Sequence, residues 1–273
     1  MSERNTVRTI LQKTVSLCRF GDGELNILMN GRIGFQQFDE NLRDRLREIL
    51  RSTPQNCLIG LPPQINSVKG MIWRTKFFWV NSLDDTREKW IREMCFDAHP
   101  NYVYASTATT RWYIEYRSRK RAIESFRLLR SIWEGRKLLI VEGEGTRMGV
   151  GNPVLNNAAS VRRIIAPAKD AFTHYAKILH SVLSNAGCCD LIIAALGPTA
   201  TVLCYDCAQR GLWALDVGHL DLEYEWFIRG THQKSKIPGK YVNEVDGGEC
   251  FDALPVDLEN RYKSEIIEVI CDE

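Results

Sequence analysis

Long apolar runs are absent from this chain of 273 residues. The cleanest, Leu191 to Leu196, is six residues long, against the ~18 that a membrane-spanning helix requires, so no transmembrane segment is expected. An excess of one charge is missing too. With 36 Lys and Arg against 34 Asp and Glu the net charge is only +2, which gives no bulk field for a nucleic-acid backbone and argues against nucleic acid as a partner. The opening residues, Met1 to Val15, contain neither a continuous apolar segment nor a small-residue cleavage site, and the nine cysteines are odd in number and scattered. A cytoplasmic protein with reduced thiols is the reading. No linker, repeat or low-complexity tract appears before residue 235, so one domain over 1–273 is expected, with 44% hydrophobic residues to build its core.

What the sequence does contain is alternation. Short apolar, β-branched runs fall at Ser16 to Phe20, Cys57 to Leu61, Tyr102 to Ser106, Lys137 to Val141, Val161 to Ala166, Leu191 to Leu196 and Ala214 to Val217. Between them, helical periodicity covers Asn41 to Arg51, Leu83 to Phe96, Ile123 to Trp133, Ala171 to Leu183 and Thr199 to Gln209. This order predicts an α/β fold, Rossmann-like, with a largely parallel sheet flanked by helices. From Asn243 to Asn260 six acidic residues and no Lys or Arg suggest an acidic surface loop, and Ile266 to Ile270 suggests a final edge strand.

Each polar, glycine-rich cluster directly follows a predicted strand, so a parallel sheet would bring all of them to one edge, where open α/β folds bind ligands. Arg19 to Glu24 is the first. Asp22 and Glu24 flank a glycine and could aim two carboxylates at a divalent cation; equally, either could cap a helix beginning near Leu25. Arg19 could pair with these acids or face a phosphate. The second cluster, Glu142 to Asn152, has four glycines and one arginine, Arg147, a composition suited to a diphosphate or to a tight ordered loop. It has no Walker signature and only half of a dinucleotide fingerprint. In the third, Pro198 and Thr199 open a predicted helix in the manner of a phosphate or ribose site, although ordinary capping explains them as well.

The fourth cluster holds Asp216, His219, Asp221, Glu223 and Glu225 among Tyr224, Trp226 and Phe227. Carboxylates crowded among large apolar groups are costly unless a cation or a catalytic proton offsets their repulsion, so a general base is sought here, Glu223 first, then Asp221, then Glu225. His219 stands next in line. Cys204 and Cys207 read as core thiols rather than a zinc site, and Trp73, Phe77, Phe78 and Trp79 as a helix face turned to the core. The segment Arg111 to Arg136 reads as a solvated basic helix whose first arginine could reach a phosphate.

With these residues in view the sequence resembles the GT-D-type glycosyltransferases, a bacterial family first described as a domain of unknown function. The segments that carry the resemblance are RFGDGE (Arg19 to Glu24), LLIVEGEGTRMGVGN (Leu138 to Asn152), RRIIAPAKDAFTHY (Arg162 to Tyr175), LGPTATVLCYD (Leu196 to Asp206) and DVGHLDLEYEWF (Asp216 to Phe227), with the Lys240 to Glu244 stretch beside them. The resemblance implies a GT-D-type fold that moves a hexose such as glucose from a UDP-sugar donor to a glycan or glycoprotein acceptor, as in bacterial glycoprotein or surface polysaccharide assembly, with Mn²⁺ or Mg²⁺. It places the metal on Asp22 and Glu24, with Asp221 and Glu223 at the same spacing as the other option. The donor would be held by Arg19, Gly21, Glu144, Arg147, Gly149, Gly151, Asn152, Pro198 and Thr199. The catalytic group would lie among Asp221, Glu223, Glu225 and His219. A metal-dependent sugar-nucleotide hydrolase and a non-catalytic sugar-nucleotide-binding subunit are the competing readings. Assembly into a homo-oligomer or a glycosyltransferase complex is left open.

Overall fold

A computed structural model of the chain describes residues 1–271. Eight strands form one sheet: β1 (Ser16–Arg19), β2 (Cys57–Leu61), β3 (Ala105–Ser106), β4 (Lys137–Gly143), β5 (Ser160–Ala166), β6 (Leu191–Ala195), β7 (Ala214–Asp216) and β8 (Ile266–Val269). Their spatial order is β3-β2-β1-β7-β6-β4-β5-β8, and every pairing is parallel. Ten α-helices accompany them among the described residues: α1 (Glu3–Lys13), α2 (Asp22–Leu28), α3 (Glu40–Arg51), α4 (Trp73–Ser82), α5 (Asp85–Ile91), α6 (Arg119–Arg130), α7 (Tyr175–Asn185), α8 (Pro198–Gln209), α9 (Leu220–Ile228) and α10 (Val256–Glu265).

Because strand side chains alternate between faces, each central strand feeds two cores. Leu139 and Val141 of β4, with Ile192 and Ala194 of β6, pack under α3, α7 and α8, while Leu138, Ile140, Leu191 and Ile193 pack under α1, α6 and α9. Burial on both faces is why these strands appear in the sequence as continuous apolar runs. After β1 the chain moves outward to β2, whereas after β7, its neighbour, it travels to β8 at the opposite edge. Such a divergence opens a crevice at the carboxyl ends of the two strands.

Four expectations are corrected. The strand predicted at Tyr102 to Ser106 shortens to β3, because Tyr102 and Tyr104 pack edge to face at 4.9 Å and the Tyr102 hydroxyl binds the β2 backbone instead. The helix predicted at Leu83 to Phe96 begins only at Asp85, capped by the Asp84 carboxylate on the Arg87 N–H at 2.8 Å, and finishes in a wide turn over Arg92–Asp97. The acidic surface loop contains α10, whose Tyr262 packs with Val150 and Ile165. The aromatic run is not core. Of its four side chains only Trp79 is buried, and Trp73 and Phe77 are each 67% exposed. No helix among the described residues is long and apolar enough to cross a membrane.

Candidate active site

Arg19 ends β1 and Asp216 ends β7, so the sheet itself sets them side by side. The Arg19 guanidinium donates from Nε to the Asp216 carbonyl at 3.0 Å and from Nη2 to the Asp216 carboxylate at 3.1 Å, and a third contact reaches Thr110 Oγ1 at 2.8 Å. Thr201 and the Gly218 N–H also donate to the Asp216 carboxylate. Burial pushes the Asp216 carboxyl above its ordinary range, and Arg19 opposes that shift. Gly218 is required by this arrangement. Its φ is +48°, and a Cβ there would sit 1.9 Å from Arg19 Nη2.

Beyond this pair lies a cavity of about 710 Å³, walled by the carboxyl ends of the strands, the start of α2 and one face of α4. Asp22, at the first position of α2, is exposed toward it. Glu24 lines it as well, and one oxygen accepts the Gly21 N–H at 2.7 Å, so the capping geometry applies to Glu24. Burial, with the Asp216 carboxylate nearby, pushes Glu24 up to about 7. On the opposite wall Glu244 gathers cations: Arg111 contacts it closely, Lys234 lies at 2.9 Å and His219 Nδ1 at 3.5 Å. Burial works against that carboxyl's charge, but its partners, Arg111 foremost and Lys234 with it, outweigh burial and hold Glu244 well below the usual range. His219 is pushed below its ordinary value, chiefly by burial, and its Nε2 meets Asn243 Oδ1 at 3.0 Å. Arg74 also lines the cavity, and among the described residues no carboxylate pairs with it.

The structure brings Arg19, Gly21, Asp22, Glu24, His219 and Asp221 to this cavity. It directs the remaining predicted residues elsewhere. Arg147 donates to the carbonyls of Gly239 at 2.8 Å and Asp252 at 3.1 Å and stacks over Phe251, so the guanidinium clamps the C-terminal segment instead of facing the cavity. Glu144 is exposed outside the cavity lining. Gly149 donates its N–H to Asp221 at 2.9 Å, and Asn152 bridges Asp221 and Glu225 at 2.8 Å each, so this part of the loop, which includes Gly151, is anchored on the carboxylates of α9. Pro198 and Thr199 are buried beneath the cavity; Gly197 lines it.

The carboxylates of α9 also separate. Glu223 is fully buried and accepts the Tyr113 and Ile114 N–H groups at 2.9 and 3.1 Å; burial pushes it up to about 7 while Arg111, at 3.7 Å, pulls the other way. Glu225 shares Lys240 with Asp221 and pairs with Arg229, and these partners overcome burial to hold it low. Asp221 alone of the three reaches the cavity. Glu244, Lys234 and Arg74 are missed from sequence, Glu244 because it is embedded in an acidic run that reads as solvated.

The matches to known proteins agree with this architecture. The family model for glycosyltransferases of GT-D fold matches residues 17–245. Glycosyltransferase GlyD of Streptococcus pneumoniae serotype 4 is 36% identical over 264 residues, covering 96% of this chain and 31% of that protein. The probable glycosyl transferase Gly of Streptococcus gordonii is 34% identical over 269 residues, covering 97% and 38%. The chain thus spans about a third of the length of the curated relatives it matches. A solved domain of unknown function 1792, described as having a distinct glycosyltransferase fold, superposes with a TM-score of 0.91 at 31% identity, covering 99% of this chain and 95% of that one. A new glycosyltransferase of the same domain type from Streptococcus sanguinis superposes with a TM-score of 0.90 at 33% identity, covering 99% and 98%. By the reach of the family model and by these relatives, the chain belongs to the GT-D-fold glycosyltransferases.

Proposed function

We propose that the chain transfers a hexose from a UDP-sugar to a glycan or glycoprotein acceptor with the help of Mn²⁺ or Mg²⁺. The observation that carries this reading is the cavity at the β1/β7 divergence, which is lined by the carboxylates of Asp22 and Glu24 together with Arg19, Arg74 and Arg111 and is large enough for a sugar nucleotide. The donor set fits a hard cation. Among the described residues no group of three or more metal-binding side chains occurs, but Mg²⁺ and Mn²⁺ commonly take one or two carboxylates and complete their shell from phosphate oxygens and water. Asp22 is exposed, and Glu24 keeps one oxygen outside its capping bond. Asp221 and Glu223 do not offer the same, since Lys240 and backbone N–H groups already engage them. A bound cation supplies neutralising charge for the diphosphate leaving group.

The chain's own groups supply the rest. Arg74 would meet the phosphates, with Arg19 adding positive charge at the cavity floor, and Phe35, Phe78 and Trp79 give apolar walls that would exclude water. Of the predicted catalytic residues His219 and Asp221 line the cavity, and His219 is assigned to the acceptor hydroxyl because Lys240 and the Gly149 N–H already engage Asp221. The test is calorimetric titration of UDP with and without Mn²⁺. Mn²⁺ should tighten UDP at least ~tenfold, and Asp22→Asn with Glu24→Gln should remove that gain, because the amides keep shape and capping but lose charge. Metal-independent UDP binding in the parent protein would defeat the metal assignment. Sugar release that is indifferent to acceptor would favour hydrolysis over transfer.

A further inference from the structure

Helix α4 has two faces of unlike character. Thr75, Phe78 and Trp79 line the cavity. On the opposite side, Trp73, Phe77 and Val80 follow the i, i+4, i+7 spacing of a single stripe and are 67%, 67% and 65% exposed. Isolated exposed apolar side chains are ordinary, but a contiguous stripe of two aromatics and a valine marks a surface with a partner.

The charges around the stripe identify that partner. Between Arg51 and Asp84 the sequence contains no acidic residue, while Lys69, Arg74 and Lys76 fall beside or within α4. The backbone adds more. An antiparallel bridge joins Met71 to Tyr116, and the Arg117 N–H donates to the Gly70 carbonyl at 3.2 Å. This ties the start of α4 to Arg117, a further exposed cation. Two of the acids that flank this stretch are engaged: Glu115 faces Arg111 at 3.4 Å, and Asp84 caps α5.

We propose that the outer face of α4, with Lys69, Lys76 and Arg117 beside it, docks on an anionic phospholipid bilayer. Trp and Phe on one stripe with Lys and Arg at its margins is the composition of a helix that lies in the headgroup plane, and clustered cations add attraction to anionic lipid. A second copy docked symmetrically would bring Lys69, Lys76 and Arg117 against their own counterparts. A neutral glycan would gain nothing from Val80 or from the cations. Since the other face of α4 walls the cavity, docking would hold that cavity at headgroup level. The inference is independent of sugar transfer, because vesicle binding is measured without nucleotide or acceptor.

The full chain is sedimented with vesicles of phosphatidylcholine, alone or with about one third phosphatidylglycerol. The bound fraction should rise at least ~tenfold on the anionic vesicles at low salt and fall as salt screens the cations. Trp73→Ser with Phe77→Ser and Val80→Ser should lower it ~tenfold, and Lys69→Glu with Lys76→Glu should do the same without touching the apolar stripe. Thermal melts check that each variant is folded. As a second measurement, brominated lipid should quench the parent's fluorescence more than that of Trp73→Phe. Equal binding to neutral and anionic vesicles, no binding to either, or no difference in quenching would overturn the proposal. So would loss of self-association or of glycan binding in the stripe variant with vesicle binding unchanged.

Discussion

His219 and Glu24 sit at the same cavity, and burial moves their protons in opposite senses. His219, pushed below its ordinary value, is neutral at pH 7 and able to accept a proton from a hydroxyl. His219→Gln should therefore lower turnover at least ~100-fold while UDP affinity changes less than ~threefold. Near-normal turnover in steady-state assays would leave Asp221 as the residue to replace next. Glu24, pushed up to about 7, binds a proton in the folded state that the unfolded chain, at its ordinary value of 4.5, has already released. Its protonated form thus contributes stability that is full below pH 4.5 and lost as pH rises to about 7. Glu24→Gln should flatten the fall in melting temperature across that window. Since a proton and a metal compete for the same oxygens, Mn²⁺ affinity in the parent should rise from pH 6 to 8 by up to ~tenfold per unit below the titration point. A pH-independent affinity would place the metal away from Glu24.

At the scale of elements, the glycine-rich loop after β4 is held by charges taken out of water. Arg163 of β5 donates to Glu142 of β4 at 2.7 Å, to Glu265 of α10 at 2.8 Å and to the Met148 carbonyl at 2.9 Å, while Glu142 also accepts the Met148 N–H at 2.7 Å. Arg163 and Glu142 are 2% and 0% exposed. Arg163→Leu should destabilise the fold by about 3–5 kcal/mol, because it strands Glu142 as an unpaired buried charge; adding Glu142→Leu should recover part of the loss. Equal melting temperatures for the single and double variants would show that the pair is not coupled. This network also explains why the loop was only half legible. Glycines and one arginine after a strand suit a phosphate, but the same residues suit a loop folded around its own carboxylates. Arg147 is anchored 92 residues away, at Gly239, a contact that local spacing cannot reveal. Strands β4 and β6 were legible because burial on both faces leaves unbroken apolar runs. Helices α1 and α10 were not, since one bears only Thr6, Val7 and Ile10 as buried residues and the other only Tyr262.

Across the whole molecule the legible part of the site is the part that topology assembles from strand ends: Arg19 with Asp216, then Asp22, Glu24, His219 and Asp221. The illegible part comes from chain beyond the alternating core, where Lys234 and Glu244 return over the cavity and α10 and β8 close the far edge of the sheet. The family match stops at residue 245, yet later residues support its architecture. The Ile270 N–H donates to the Ile165 carbonyl at 2.8 Å, Glu265 completes the Arg163 pairing, and the Tyr262 ring lies 5.2 Å from the Arg163 guanidinium. Removing everything after Val245 would strip the partner from β5, leave Arg163 without one of its two carboxylates and expose Val150 and Ile165. An uncovered parallel edge strand is also a template for pairing with another chain. The truncated protein should melt at least ~10 °C below the parent, as loss of several kcal/mol implies for a chain of this size, and should aggregate on heating. Since the cavity's arginines and all of its acids but Glu249 precede the cut, the truncated chain should still bind UDP with Mn²⁺ at low temperature. Unaltered melting would mean that α10 and β8 are ornaments on a self-sufficient sheet, and lost UDP binding in a folded truncation would mean that they shape the cavity directly.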